Sequence, residues 1–487
     1  MGIIGEVTFS DVSLFIAFFL PVYLFTLLLC EFVLKAFFSD LAPEFSPSVV
    51  GAVRLVILFN LVAPLIYYLI YILVYGNLRD SGVYFAGAER ILMRLLQNHI
   101  SLSHLLLAYI NPSFLIERWV PLDNYEAFLF LPNHRLVYTC LLTILPYLAG
   151  AGFYTLTGLI LSAVKVVSLF TLFLSFLSEL KTYFRTWGGL SPLFVIGFLG
   201  VPSVVFWTSV PLKETYIVIL FSLATSFFLR FISHPLRKGH LLLLALIFLV
   251  PVYNLRPWFF FVLLTAYGII VFWRLVVTNP DPRFRFLFLT VIILILVVGG
   301  RSALSALLTE LDEQFSSFIQ GFVTWHGYLA ERRGQFGYAI PGLDYRSIQS
   351  IYDILRFLPY GFIYALYRPF LWEASEPQHF LASLEALFLL GCSLYVGAGL
   401  LLRGFVPLKE VLKSPSVVGF TATALFYVSY TGVISYNYGA LSRYKAPLFF
   451  ILVFFMVLLI LTIYERKDDG VMKPLSALPQ NSSSGGH

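Results

Sequence analysis

Charge is scarce in this chain. Of 487 residues only 12% are Asp, Glu, Lys or Arg, against 59% apolar, and the mean hydropathy is +0.87. A soluble domain cannot cover its surface with so few charges, so that class is excluded and most of the chain must face lipid. Cysteine is scarcer still. Cys30, Cys140 and Cys392 are scattered through apolar surroundings, which rules out a disulfide framework and any zinc-binding spacing. The eight histidines form no HExxH pair, and His99 and His104 do not share a helix face. Walker A loop, dinucleotide fingerprint and internal repeat are all missing. The net charge of +6 is accounted for by short basic loops, so nucleic acid is not an expected partner.

What abounds is long apolar runs. About 20 residues span a bilayer, and eleven runs qualify: roughly 13–34, 53–75, 157–178, 190–208, 214–233, 240–255, 257–276, 284–300, 383–402, 417–435 and 446–464. The expected fold is an all-α polytopic membrane protein with about 11 (11–13) transmembrane helices, forming one transmembrane domain over residues 1–464. The first run is longer than a signal-peptide core and lacks a small-residue cleavage site, so it is expected to be retained. From Glu465 the chain turns polar, and residues 465–487 read as a cytoplasmic tail whose closing NSSSGGH looks appended.

Orientation follows from short basic loops, which stay in the cytoplasm. Lys181/Arg185, His234 to Lys238, Arg274 to Arg285, Arg403 to Lys413 and Arg466-Lys467 all fall on one side if Met1 lies outside and the tail inside. Half of the 32 Lys and Arg lie on each side, so the short loops decide and the raw tally does not. Two long outer segments result, 77–156 and 301–382. Within the first, Tyr84 to Asn98 sets Tyr84, Ala88, Ile91, Leu92, Leu95 and Leu96 on one helical face, opposite Glu89, Arg90, Arg94 and Gln97. That pattern suits a helix lying in the interface plane. Residues 137–148 could span, but spanning would invert the short-loop agreement, so an interfacial placement is preferred.

In a chain this poor in charge, the charged residues need a reason. The stretch VPSVVFWTSVPLKE places Lys213 and Glu214 between two apolar runs at the outer face, and Asp80 in NLRDSGVYFAGAE reaches the same face. The plain reading of each acid is a solvated loop charge, yet ionisable groups near membrane depth are usually paired or functional. Lys165 lies inside an apolar run, where it could snorkel outward or pair with a buried carboxylate. Cations recur at the outer face: Arg256, Arg332-Arg333, Arg368, Arg443 and Lys445. These could be interfacial anchors. Gathered around two acids, they also suit an anionic phosphate ligand, which arginine binds bidentately.

With these residues in view, the chain resembles the GT-C class of membrane glycosyltransferases, which use polyprenyl-phosphate-linked sugars. The resemblance runs from about residue 50 to 464 and rests on the order of parts. Asp80, Tyr84 and the amphipathic helix match the acid and juxtamembrane helix of that class's first outer loop. Glu214 stands where a second acid occurs, within PSVVFWTSVPLKE; YRPFLWEASEPQHF and SRYKAPL are similar to two later segments. Glu for Asp at the second acid, Lys445 for Arg, and an additional N-terminal helix depart from the pattern.

The resemblance implies an enzyme at the outer face of a prokaryotic cytoplasmic (inner) membrane, working in cell-envelope glycan biosynthesis. A sugar would pass from a polyprenyl-phosphate donor to a glycan, lipid or protein acceptor. Asp80 would be the base or an acceptor-positioning group, and Glu214 a second acid that orients the acceptor or helps hold a divalent cation (Mg or Mn). Arg443, Lys445 and Arg368, with Lys213, Lys165 and Arg256, would bind the donor phosphate. Tyr84, Trp325, His326, Arg332 and Arg333 would contact the acceptor or form a loop cap. Two other readings compete. An O-antigen-type polymerase or ligase using diphosphate donors would lean on His326, Arg332, Arg333 and Arg368. A lipid-linked glycan transporter or flippase would show related halves.

Overall fold

The computed structural model describes residues 9–76, 78–97, 100–112, 134–186, 190–233, 238–277, 351–374, 376–435 and 437–468. Among these residues every regular element is a helix. That is what lipid demands, since an open backbone cannot satisfy its N–H and C=O groups there. Among the described residues eight helices are long and apolar enough to cross a membrane, which makes this a multi-pass membrane-embedded protein. They are α1 (Phe9–Phe37), α2 (Pro47–Tyr75), α6 (Tyr154–Thr186), α9 (Lys213–Ser233), α11 (Pro257–Phe272), α13 (Pro377–Arg403), α15 (Pro415–Ile434) and α16 (Tyr438–Asp468). The remaining helices are α3 (Arg79–Leu96), α4 (Leu102–Ile110), α5 (His134–Ala149), α7 (Pro192–Leu199), α8 (Pro202–Trp207), α10 (Gly239–Leu255), α12 (Ile351–Tyr367) and α14 (Val406–Val411).

Local sequence sets the ends of these helices. Ser46 caps α2 by accepting from the Val49 N–H, Pro47 follows at the first turn, and Gly76 ends the helix with φ of +69°, a left-handed conformation that favours glycine. Ser414 and Pro415 open α15 in the same way. One expected span and one expected loop look different in the structure. The run 190–208 is two short helices, α7 and α8, separated by Gly200-Val201, because Pro202 brings no N–H and excludes a continuous helix across itself. Within the expected second outer loop, residues 351–367 form α12, which packs against α15. A Cβ on Gly361 or on Gly432 would collide with the facing backbone, so both glycines are needed for this approach. The expected span 284–300 lies outside the described residues.

α6, α9, α15 and α16 are mostly buried and form the centre, while α1, α11 and α13 are mostly exposed among the described residues. Aromatic rings fill the centre. Phe198 packs edge-on against Phe450 at 4.9 Å and Phe454 at 5.2 Å, and Phe173 and Phe176 close the cluster. Between helices in lipid, such close packing replaces the hydrophobic drive that operates in water.

The helix ends sort into two faces. On one, Tyr75 of α2 meets Glu376 before α13, the Asp11 carbonyl of α1 meets Thr155 of α6, and Arg368 after α12 meets Tyr438 of α16. On the other, Lys181 of α6 binds Asp40 at 3.0 Å, and Glu179 gathers Arg274 and Ser416. The described basic residues of the short loops, Lys181, Lys238 and Arg274 among them, lie at this second face. α3, α4 and α5 cluster at the first. α5 touches α9 through Thr143 and Tyr216 in the first turn of α9, and Tyr138 donates to the Tyr109 carbonyl of α4. Asn254, near the end of α10, donates to the Ile110 carbonyl. These contacts pack α5 against α4 and the first turn of α9. The amphipathic helix expected from Tyr84 starts earlier, at Arg79.

Candidate functional site

Asp80 and Glu214 both sit in the first turn of a helix, α3 and α9 respectively. A carboxylate there is favoured by the helix dipole, by about 0.3–1 kcal/mol. Two acids 134 positions apart are thus each placed by local rules. Their meeting depends on α16, whose second turn carries Arg443 between them. The Arg443 Nη1 donates to Asp80 Oδ2 at 2.7 Å, and its Nε lies 3.7 Å from Glu214 Oε1. Arg256, in the tight link between α10 and α11, donates from Nη2 to the same Glu214 oxygen. It also donates from Nη1 to the Tyr427 hydroxyl at 3.3 Å, and that hydroxyl donates to the Tyr444 carbonyl at 2.9 Å. The Tyr444 ring lies 4.7 Å from the Arg256 guanidinium and 5.3 Å from that of Arg443.

The two acids therefore differ in character. The Glu214 side chain is 3% exposed and serves two arginines, which makes it the anchor of the cluster. The Asp80 side chain is 57% exposed and reaches solvent while touching Arg443. Beside them, the Lys213 Nζ rests 5.6 Å from the centroid of the Tyr84 ring and makes no ion pair among the described residues. Tyr84 is buried under it, and burial followed by the nearby Asp80 charge pushes its phenol well above the usual tyrosine value. Tyr84 thus packs beneath the cluster and is not an open acceptor contact. The field of Arg256 also reaches Arg135 in the first turn of α5, a residue that sequence reading passed over. Among the described residues, the cations Lys213, Arg256 and Arg443 stand beside Asp80 and Glu214, an arrangement that suits an anion.

Several expected phosphate contacts belong elsewhere. Lys445 follows Arg443 by two residues, and side chains so spaced on a helix point apart. Its Nζ donates to the Ala365 carbonyl at 2.8 Å, in the last turn of α12. Lys165 is 0% exposed and neither snorkels nor meets a carboxylate among the described residues; its Nζ points to the Val205 carbonyl at 3.4 Å, near the end of α8. Each lysine thus complements a helix C-terminus, where free carbonyls concentrate negative charge. Arg368 is held by Glu373 through two hydrogen bonds, from Nε to Oε2 at 3.0 Å and from Nη2 to Oε1, and so is already neutralised. Glu373 and Glu385 were both missed from sequence. Glu385 accepts from the Ser203 N–H at 2.7 Å and Oγ at 2.8 Å, capping α8 at its other end. A lone acid inside the apolar run of α13 was its signal.

A divalent cation held by Asp80 and Glu214 would need both carboxylates turned toward one point. Arg443 stands there instead, and among the described residues no group of three or more His, Cys, Asp or Glu could hold a metal ion. The donor set does not fit a metal. Trp325, His326, Arg332 and Arg333 lie outside the described residues. Comparison of the chain with protein-family models, with curated proteins and with solved structures returned no match.

Proposed function

We propose that this protein is a GT-C-like membrane glycosyltransferase that moves a sugar from a polyprenyl-phosphate-linked donor to an acceptor at the face bearing Asp80 and Glu214. The observation that carries the reading is the bridge of Arg443 from buried Glu214 to exposed Asp80, with Arg256 and Lys213 beside it, at the mouths of membrane-spanning helices. The cluster's place at the helix mouths suits a lipid phosphate, and the short basic loops of the opposite face support an outward orientation for this one.

In the proposed reaction the acceptor hydroxyl oxygen attacks the anomeric carbon, and the bond from that carbon to the phosphate oxygen breaks. The bonding pair leaves with the phosphate, and the hydroxyl proton goes to Asp80. A half-exposed carboxylate suits that base role, since it can reach an incoming hydroxyl. Arg443, Arg256 and Lys213 supply fixed positive charge where the phosphate charge develops. Glu214 holds the two guanidiniums in place before any ligand arrives. No step passes through a metal. The polymerase reading depends in part on Arg368, whose charge Glu373 already engages.

The test is turnover of the purified chain with a panel of polyprenyl-phosphate and polyprenyl-diphosphate sugars, wild type beside Asp80→Asn. Release of polyprenyl phosphate by the wild type, falling about 10²- to 10⁴-fold in the variant, is the expected result for a lost base. Near-normal turnover in Asp80→Asn would overturn the base assignment.

A further inference from the structure

The turn between α12 and α13 carries groups that sugar transfer at the arginine cluster leaves unused. We propose that Trp372, backed by Phe370 and followed in the same turn by Glu376, is a carbohydrate-binding platform whose ligand is a pyranose ring of the acceptor glycan. The assignment to the acceptor rests on the transferase reading; the contact with sugar does not.

Trp372 is 81% exposed although its turn is braced by several contacts. The Phe370 ring stacks on it at 4.8 Å and 16°, so one indole face is covered and, among the described residues, the other is open. Glu373 ties the turn together, accepting from the Phe370 N–H at 2.8 Å and from the Arg368 guanidinium. Arg368 in turn reaches the Tyr438 hydroxyl at 2.7 Å and lies 4.8 Å from the Tyr364 ring. A large apolar ring held this firmly loses little freedom when it meets a flat ligand, the situation in which stacking gives the most affinity.

The neighbours supply hydrogen-bond acceptors that suit sugar hydroxyls. Glu376 Oε2 accepts from Tyr75 and Gln378, both at 2.7 Å, and lies 3.4 Å from His379 Nε2. Gln378 is itself buried and holds the carboxylate from behind. An apolar ring in the same turn as a carboxylate suits a pyranose, which pairs an apolar C–H face with a rim of hydroxyls. Position favours the same ligand. Tyr438 precedes Arg443 by five residues on α16, a rise of about 7.5 Å at 1.5 Å per residue. The platform therefore lies on the water side of the arginine cluster, bordered by the end of α2 and the start of α16, the helices that lead to Asp80 and carry Arg443.

The test uses the full chain in lipid nanodiscs, with saturation-transfer NMR on gluco-, galacto-, manno- and N-acetylhexosamine oligosaccharides. Donor turnover is measured on the same samples. The expected result is transfer to the ring protons of at least one sugar. Binding should weaken about 3- to 10-fold in Trp372→Ala, the range of one aromatic contact, and less in Trp372→Phe. A wild-type chain that binds no sugar of the panel, or a Trp372→Ala variant that binds as well as wild type, overturns the proposal. So does quenching of Trp372 by brominated acyl chains that sugar leaves unchanged, which would make it a lipid anchor. Sugar binding that depends on Trp372 in a chain inactive on every donor keeps the platform and removes the transferase reading.

Discussion

Arg443 and Lys445 show how little a shared segment says about a shared role. One guanidinium joins two acids in the cluster, and the ammonium two residues on faces the end of another helix. The same contrast separates Glu214 from Asp80, and stability measurements will expose it. Glu214→Ala leaves the buried ends of Arg256 and Arg443 without their carboxylate, so it should cost about 3–5 kcal/mol in unfolding of the purified chain. Asp80→Asn weakens a pair whose acid is largely solvent-exposed, worth about 0–1 kcal/mol, and should lower the melting temperature far less than Glu214→Ala. Equal losses in the two variants would contradict the anchor role of Glu214. Glu373 makes a pH prediction. Although partial burial works against its charge, Arg368 and the Phe370 N–H hold its carboxyl below the ordinary glutamate value. Its contribution is therefore fully present above about pH 4.3 and is lost as pH falls through the lower folded value. Hydrogen exchange in residues 368–374 should accelerate across that acid range, and Glu373→Gln should already exchange fast at neutral pH.

The helix α8 is too short to be stable alone, yet it sets the turn that delivers Lys213 and Glu214. Its ends are held by two charges that complement its dipole, Glu385 at the start and Lys165 at the finish, and Asn60 satisfies the Leu199 carbonyl just before the break at 3.1 Å. Replacing Glu385 with Leu frees the Ser203 N–H and should cost about 1.5–3 kcal/mol. If the bracing of α8 matters for the site, binding of polyprenyl phosphate should weaken in the same variant. Unchanged binding and stability would show that α8 stands without this cap. In the sequence, Gly200 and Pro202 marked this break, but an unbroken apolar run concealed it, because hydropathy counts side chains and is blind to a missing N–H. The amphipathic pattern of α3 was plain, since one helix shows its own two faces. The pairing of α12 with α15 was not, since a glycine pair that permits close approach is divided between distant segments.

For the whole molecule, the alternation of basic short loops and charged helix mouths makes a prediction about sidedness. Ser103 lies at the face of the candidate site, Ser48 and His240 at the other, and all three are exposed. In right-side-out vesicles a membrane-impermeant maleimide should label Ser103→Cys and spare Ser48→Cys and His240→Cys. The reverse pattern would place the site in the cytoplasm and exclude an outward-facing transferase. Composition and the spacing of apolar runs were enough to establish a helical, multi-pass membrane protein, because lipid leaves the backbone few alternatives. They also placed Asp80, Lys213, Glu214, Arg256 and Arg443 at one face, since parity of crossings and short basic loops depend only on chain order. Which charge meets which was settled by packing. α16 had to come between α3 and α9 for one arginine to join two acids, and α12 had to end beside Lys445 for that lysine to be drawn away. Such pairings depend on distances across helices, which no single segment encodes.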